Sequence, residues 1–274
     1  MADLSHYLIC SDYDGTFSDR GEVSPADAEA VRAFQRDGGH FTIASGRSPD
    51  FLWTKRESFI PNAPIISING TMINDPGDMS VLKEYTLDDE AEEAVRWIWA
   101  NTPTQVIALH GADREGHWFK RPGLEVPFPH PLESADIDAI IASVPRPWYK
   151  VIFVQSAETT PTVMRLCLEK WGGRYEFDRS WPMGLELHQK GSGKGACLSF
   201  IREWMGDPDL TIIGAGDYEN DISLVRDADI GYAVGNATDE VKAAADRVTV
   251  RNTENAIAAI IRDIREMAER GDRR

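Results

Sequence analysis

Two aspartates stand one residue apart near the start of the chain, in a setting that favours chemistry. Asp12 and Asp14 follow the apolar run YLIC (7–10) and precede a glycine, in the stretch SDYDGT. If the strand that this run predicts continued to Asp14, its two-residue period would turn both carboxylates to one side. Like charges held that close repel, so such a pair requires a cation beside it. The alternative is a turn, because Asp-Gly commonly closes hairpins.

Three further loops hold residues suited to binding a phosphate or a metal. In chain order they are ASGR (44–47) with Ser45 and Gly46, KGSGKG (190–195) with Lys190 and Lys194, and GAGDYENDISL (214–224) with Asp217, Asn220 and Asp221. Ligands of an open parallel sheet bind beyond the carboxyl ends of its strands, so loops of one sheet converge there. Each loop is a weak signal alone, and the four in this order are a specific one.

Apolar runs of strand length alternate with helical patterns along the chain. Strands are predicted at 7–10, 40–45, 64–68, 104–109, 149–155, 210–216 and 247–250. A helix is predicted over 25–38, because a proline stands at its first position and glycine ends the pattern. A C-terminal helix is predicted to place on one face Ile257, Ile260, Ile261, Ile264 and Met267. The alternation predicts an α/β fold with a mostly parallel sheet.

The middle of the chain differs in composition from its two ends. Residues 84–188 hold most of the tryptophans and prolines, including the stretch RPGLEVPFPHP (121–131). We therefore predict a core built from residues 1–84 and 189–274, with a second α/β module inserted at 85–188. In that module the candidate substrate contacts are His110, His117, His130 and Trp118. Tryptophans at such spacing are more often core residues, and histidines without ligand spacing are more often structural or exposed.

Composition and charge exclude several classes of function. The chain has 29 basic and 45 acidic residues, a formal net charge of −16. This balance disfavours nucleic acids and anionic membranes as partners, and any anion site must supply its own cations. The start lacks the apolar stretch of a signal peptide and no run approaches the ~20 residues of a membrane span, so we expect a cytoplasmic protein. The cysteines suit neither disulfides nor zinc and are interpreted as buried small hydrophobes: Cys10, Cys167 and Cys197.

Taken together, the four loops resemble the motifs of the haloacid dehalogenase (HAD) superfamily of phosphatases. DYDGT, ASGR, GSGKG and GDYENDISL match the four motifs in order, and residues 231–249 also match the Cof-type group. In that group a large α/β cap of type IIB is inserted between the second and third motifs. Phe17 stands where leucine is usual, and Ser45 stands where threonine is also common, which retains the hydroxyl group. The resemblance implies a doubly wound, Rossmann-like core with an inserted α/β cap.

The resemblance also implies roles for the residues of the four motifs. Asp12 would be the nucleophile that forms an aspartyl-phosphate, and Asp14 the general acid and base, unless Asp14 acts only through its backbone. Phosphate would be bound by Ser45, Gly46, Lys194 and Asn220. Asn220 would either donate to phosphate or orient a neighbour. For Lys190 a solvated position and a phosphate contact are both open.

The expected substrate makes a metal ion necessary. A phosphomonoester is nearly a dianion, and two unit charges ~4 Å apart interact by ~4 kcal/mol at an effective dielectric of about 20. Repulsion of that size would prevent attack by a carboxylate, and Mg²⁺ is the natural remedy. The ligands that the resemblance implies are the Asp12 carboxylate, the Asp14 backbone carbonyl and Asp217, with Asp221 beyond the direct ligands.

These residues predict magnesium-dependent hydrolysis of small phosphomonoesters, such as sugar phosphates or related metabolites by analogy with the family. Two alternatives stay open. One is a phosphosugar mutase on the same site, and the other is a non-catalytic regulator that binds a phosphorylated metabolite. The second is disfavoured because binding alone does not require a nucleophile.

Overall fold

The computed structural model describes residues 3–126 and 131–271. Its strands are β1 (Tyr7–Ser11), β2 (Ser18–Asp19), β3 (Glu22–Val23), β4 (His40–Ile43), β5 (Ile65–Ser67), β6 (Met72–Asn74), β7 (Val81–Glu84), β8 (Val106–His110), β9 (Gly116–Lys120), β10 (Leu132–Glu133), β11 (Lys150–Val154), β12 (Tyr175–Asp178), β13 (Gly184–Gln189), β14 (Thr211–Gly216), β15 (Ile230–Ala233) and β16 (Arg247–Val248). Its α-helices are α1 (Pro25–Arg36), α2 (Pro49–Lys55), α3 (Ala91–Asn101), α4 (Ile137–Ser143), α5 (Thr160–Trp171), α6 (Leu198–Met205), α7 (Ile222–Asp227), α8 (Asp239–Ala244) and α9 (Ala256–Arg270).

The chain divides into two compact units. The discontinuous unit comprises Met1–Lys83 and Gly193–Arg274, and the inserted unit comprises Glu84–Ser192. The junctions predicted from the sequence lie after residues 84 and 188. Within the described ranges, no helix has both the length and the apolar character needed to cross a membrane.

A parallel sheet forms the centre of the discontinuous unit. Its strand order is β16-β15-β14-β1-β4, and every neighbouring pair is parallel. All five residues of β1 are buried. Tyr7 and Ile9 pack with α1 and α9 on one face, whereas Leu8 and Cys10 pack with α6 and α7 on the other. Burial of both faces explains why β1 is an uninterrupted apolar run, and it confirms the predicted α/β class.

The helices at the two ends of the discontinuous unit follow their sequence signals. The hydroxyl of Ser24 accepts a hydrogen bond from the backbone N–H of Asp27 at 3.0 Å, so it caps α1 one residue before Pro25. After α1 the chain turns at Gly38, whose φ is 96°. All five apolar residues predicted for one face of the last helix are buried in α9. The three cysteines are buried and free, as predicted.

The sheet of the inserted unit is built differently. Its order is β10-β9-β8-β11-β13-β12, and only the β9–β10 pair is parallel. Residues 111–115 alone connect β8 to β9, and so short a link permits only an antiparallel pair. The predicted parallel arrangement therefore applies to the first sheet and not to this one. Helices α3, α4 and α5 pack on one face, and Val106, Ala108, Ile152 and Val154 lie in a second cluster.

Candidate active site

The loop that follows β1 is anchored by aromatic packing. The strand ends at Ser11, so the two-residue alternation does not extend to Asp14. The backbone N–H of Asp12 donates to the carbonyl of Ala215 at 2.8 Å, which ties the loop to β14. Between the two aspartates, the ring of Tyr13 is buried and packs edge-on against the three rings of Phe17, Phe51 and Phe59. Phe17, the departure from the family pattern, thus contributes to this anchor.

The two aspartates have different partners. Arg47, the last residue of the second motif, donates from Nε to Asp14 Oδ2 at 2.8 Å and from Nη2 to Asp14 Oδ1 at 3.1 Å. The side chain of Asp14 is 41% exposed, whereas Asp12 is buried. Arg47 had no predicted role, although it lies within the second motif. Its guanidinium fork holds both oxygens of Asp14 and joins the first two loops.

Lys194 brings the first, third and fourth loops together. Its side chain is fully buried, and Nζ donates to Oδ1 of Asp12 and to Oδ1 of Asp221, both at 2.6 Å. Burial alone would lower the pKa of Lys194, but the charges of the two carboxylates outweigh it and raise that pKa above its usual value. The ammonium therefore stays charged at neutral pH.

Asp12, Asp217 and Asp221 form an acidic cluster around that ammonium. One carboxylate oxygen from each lies within 4.8 Å of the others, and among the described residues this is the one cluster with ligands suited to a metal. Burial, and then the charge of Asp221, raises the pKa of Asp12 well above its usual range. The same two causes raise the pKa of Asp217 to about 7. Three carboxylates against one ammonium leave an excess of negative charge, and an all-oxygen donor set of this kind fits a hard divalent cation.

Asp221 has both carboxylate oxygens engaged by the protein itself. Oδ1 accepts from Lys194, and Oδ2 accepts from the backbone N–H groups of Asp217 at 2.9 Å and Tyr218 at 3.2 Å. The carboxylate of Asp221 therefore holds both the fourth loop and the ammonium of Lys194 in position.

Gly15 is required by the close approach of Asp217. Its φ is 85°, and a Cβ there would lie 2.4 Å from Oδ2 of Asp217. The hydroxyl of Thr16 donates to Oδ1 of Asp217 at 3.1 Å. From the tail that resembles the family, Asn236 donates through Nδ2 to the carbonyl of Gly15 at 2.8 Å. Sequence reasoning assigned no role to Thr16 or Asn236.

The remaining predicted site residues fall in two places. Ser45 is buried directly after the strand region of the second motif, and its hydroxyl accepts from the backbone N–H of Arg47 at 3.1 Å. Gly46 follows it in the same loop and is partly buried. Asn220 is buried in the fourth loop and donates through Nδ2 to Oδ1 of Asn69 at 3.3 Å. Asn69 was missed because Asn-Gly between two apolar runs is typical of an ordinary turn.

Lys190 belongs to the inserted unit. Its Nζ donates to the carbonyl of Gly172 at 3.0 Å and lies 3.3 Å from a carboxylate oxygen of Glu176. Its side chain is 48% exposed. These contacts favour the solvated, structural interpretation that the sequence left open for this lysine.

The candidate substrate contacts of the inserted unit have distinct environments. Trp118 packs on the cluster formed by Val106 and its neighbours. Both ring nitrogens of His110 are buried without a hydrogen-bond partner within the described chain, and burial, with the charge of Lys150, lowers the pKa of His110 to about 3. His117 lies 2.8 Å from a carboxylate oxygen of Asp113. His130 lies outside the described residues.

Comparison with known proteins gives matches that span most of the chain. Residues 9–261 match the family model of the haloacid dehalogenase-like hydrolases. A 5-amino-6-(5-phospho-D-ribitylamino)uracil phosphatase of Bacillus subtilis is 26% identical over 272 residues, which cover 95% of this chain and 96% of the relative. These matches confirm the family resemblance drawn from the four motifs and the prediction of a phosphoric monoester hydrolase.

Solved structures agree as well. A haloacid dehalogenase-like hydrolase from Bacteroides thetaiotaomicron superposes with a TM-score of 0.71 at 26% identity, over 94% of this chain and 99% of the other. A HAD subclass IIB sugar phosphatase gives a TM-score of 0.74 at 20% identity, over 94% of this chain and 98% of the other. The second likeness is one of fold.

Proposed function

The chain belongs to the haloacid dehalogenase-like hydrolases, and we propose that it hydrolyses small phosphomonoesters with magnesium by passing the phosphoryl group first to Asp12 and then to water. The observation that carries the proposal is the buried ammonium of Lys194, 2.6 Å from both Asp12 and Asp221. A third carboxylate, that of Asp217, completes the cluster. A site that only bound a phosphorylated ligand would have no use for so many carboxylates beside an anion.

Asp12 is the nucleophile in this proposal. Lys194 opposes the rise in the pKa of Asp12 and holds its carboxylate in one orientation. A divalent cation at the cluster would favour the ionised carboxylate, which is the attacking form, still further. A covalent aspartyl-phosphate divides one difficult displacement into two easier steps. The ammonium of Lys194 is charged and buried, so it also attracts the incoming phosphate.

The cluster supports an assignment of metal ligands. Mg²⁺ held by the carboxylates of Asp12 and Asp217 and the backbone carbonyl of Asp14 would neutralise excess charge and allow a phosphate dianion to approach. We place Asp221 outside these ligands, because Lys194 and two backbone N–H groups already use both of its oxygens. Its role is to hold Lys194 and the loop of Asp217 in position.

Asp14 is assigned the transfer of protons. In the first step it would protonate the departing oxygen, and in the second it would accept a proton from water. Arg47 now binds both oxygens of Asp14. Each carboxylate oxygen has a second lone pair, so Asp14 can contact the substrate while Arg47 holds it.

The phosphate group would be held by donors from three loops, namely Ser45, Gly46, Lys194 and Asn220. The substrate class that we propose is a small phosphorylated metabolite such as a sugar phosphate, and we propose that the inserted unit serves as a cap that selects among such esters. Two observations support a small soluble substrate: the net charge of −16 disfavours nucleic acid, and the Bacillus subtilis relative is named for a phosphorylated ribityl compound.

The test is a panel of phosphorylated metabolites incubated with the purified protein and magnesium, with release of inorganic phosphate as the measurement. We expect release from at least one sugar phosphate and none from the Asp12→Asn variant. A rearranged sugar phosphate without release would instead indicate a mutase. Tight binding of a metabolite with no turnover would indicate a regulator.

A further inference from the structure

A left-handed turn follows β5, and no motif of the sequence analysis includes it. Three consecutive residues have positive φ there: Ile68 at 48°, Asn69 at 57° and Gly70 at 87°. For a β-branched residue such as Ile68 this conformation is a true outlier. Strain of this kind persists only where the surroundings determine it, and it is concentrated at functional sites.

Contacts with two of the motif loops hold this turn. The backbone N–H of Ile68 donates to the carbonyl of Arg47, and that of Asn69 donates to the carbonyl of Ser45, both at 2.9 Å. On the other side Gly70 lies against the third motif, because a Cβ on it would stand 2.3 Å from the carbonyl group of Gly193. The turn is thus fixed by backbone groups of the proposed phosphate-binding loops.

The side chain of Asn69 extends this connection to the fourth motif. Its Oδ1 accepts from Nδ2 of Asn220 at 3.3 Å, and both side chains are buried. A primary amide can present either its N–H₂ end or its oxygen to a ligand. Because Oδ1 of Asn69 accepts from Nδ2 of Asn220, the nitrogen of the Asn220 amide stays on the side of Asn69. Its second N–H is then available to an anion, and the rotated amide, which would present oxygen, is disfavoured.

We propose that Asn69 is a positioning residue that sets the orientation of the Asn220 amide and so adapts it to bind phosphate. This inference rests on the proposed function, in which Asn220 belongs to the phosphate site. Asn69 acts through Asn220 and has no assigned contact with the reacting atoms. Its left-handed backbone is what brings its amide oxygen to face the fourth loop, which explains why an Asn-Gly pair stands at this point.

Glycine substitution separates the side chain from the backbone. Asn69→Gly retains a residue that adopts φ of 57° without strain, and it removes only the amide. Asn255→Gly is the matched control: Asn255 also has a positive φ, 64°, lies in the same unit, and accepts from the hydroxyl of Ser24 at 2.8 Å instead.

The experiment is calorimetric titration of inorganic phosphate into the magnesium-loaded protein. We expect Asn69→Gly to weaken binding roughly tenfold, Asn255→Gly to leave it unchanged, and Asn220→Ala to weaken it at least as much as Asn69→Gly. In the double variant the two losses should not add, because Asn69 acts only through Asn220. With an ester substrate, Asn69→Gly should raise KM and leave kcat within a few-fold, as expected for lost uniform binding. Asn69→Ala lacks the same amide and gives the same expectation if the glycine variant does not fold.

Unchanged phosphate affinity in Asn69→Gly, or losses that add in the double variant, would overturn the inference. Failure of the wild-type protein to bind inorganic phosphate would overturn it too. Ester turnover tests the proposed function separately. If the wild-type protein turns over an ester but Asn69→Gly binds phosphate as tightly as wild type, only the inference about Asn69 fails. If the wild-type protein turns over no ester, the proposed function fails.

Discussion

The raised pKa of Asp217 makes the stability of the metal-free protein depend on pH in an unusual direction. Burial and the charge of Asp221 raise this pKa from 3.8 to about 7. A carboxyl group whose pKa is higher in the folded protein binds its proton more tightly when folded. The unfolding free energy therefore falls as the pH rises from about 4 to about 7. Each pKa unit corresponds to about 1.4 kcal/mol, so the full effect is about 4 kcal/mol, and screening at the partly exposed edge reduces it to about 2–4 kcal/mol.

Urea unfolding in the presence of a chelator, at pH 5 and at pH 8, measures this effect. We expect the wild-type protein to be less stable at pH 8, and saturating magnesium to remove most of the deficit because the cation replaces the proton. Between pH 5 and pH 8 only about two of the three pKa units are sampled, so Asp217→Asn should lose about 1–3 kcal/mol of the difference between the two pH values. The part due to the raised pKa of Asp12 should remain. Asp19→Asn, an exposed aspartate of β2, is the control and should behave as wild type. If Asp217→Asn retained the whole pH difference, the cluster would not be the cause.

Four further predictions concern catalysis. Asp12→Asn should lower turnover by at least about 10³-fold while retaining part of the magnesium-dependent binding of phosphate, measured by phosphate release and calorimetry; substantial residual activity would mean that another group attacks. Chelation should abolish activity and magnesium should restore it better than calcium, whose looser coordination disturbs in-line transfer; full activity in excess chelator would contradict the metal assignment. Asp14→Asn at saturating magnesium should lower the turnover rate of a sugar phosphate ~10²–10⁴-fold. With p-nitrophenyl phosphate the first step should slow much less, so a burst of nitrophenol should precede slow turnover. Equal losses of rate for both substrates without a burst would confine Asp14 to a structural or metal-holding role. Replacing residues 85–191 by a short linker, so that no strand of the inserted unit's six-stranded sheet remains, should change the ranking of phosphomonoester substrates. An unchanged ranking would refute a selective role for the inserted unit.

The sequence was most informative where local chemistry and strand position agree. Asp12, Asp217 and Lys194 each lie in a polar loop next to a buried element, and loops at one edge of a parallel sheet must converge. The meeting of Asp12 and Asp221 at the ammonium of Lys194 agrees with that geometry. The environment of Asp14 did not follow, because the strand stops at Ser11 and the loop turns its carboxylate towards a guanidinium from another motif.

Other features depend on contacts that no local pattern contains. The side chain of Asn69 meets Asn220 across 151 positions of the chain, and an Asn-Gly pair by itself indicates only a turn. Lys190 and Lys194 stand in one glycine-rich stretch, yet the chain passes from one unit to the other between them. The antiparallel sheet of the inserted unit was missed because β9, β12 and β13 were not predicted as strands. The two strands that were predicted there, β8 and β11, are short buried runs, which look alike in parallel and antiparallel sheets.

On the ribosome, β1 leaves the exit tunnel long before its neighbour β14. Tyr7–Ser11 pairs with residues 211–215, so about 200 residues must be added first, which takes about 10–40 s at 5–20 residues per second. During that interval one edge of an apolar strand is unpaired, and such an edge is a template for aggregation. The inserted unit draws its whole six-stranded sheet from Glu84–Ser192, so all six of its strands are synthesised within that interval. The strands that complete the sheet behind the four motif loops are therefore synthesised last.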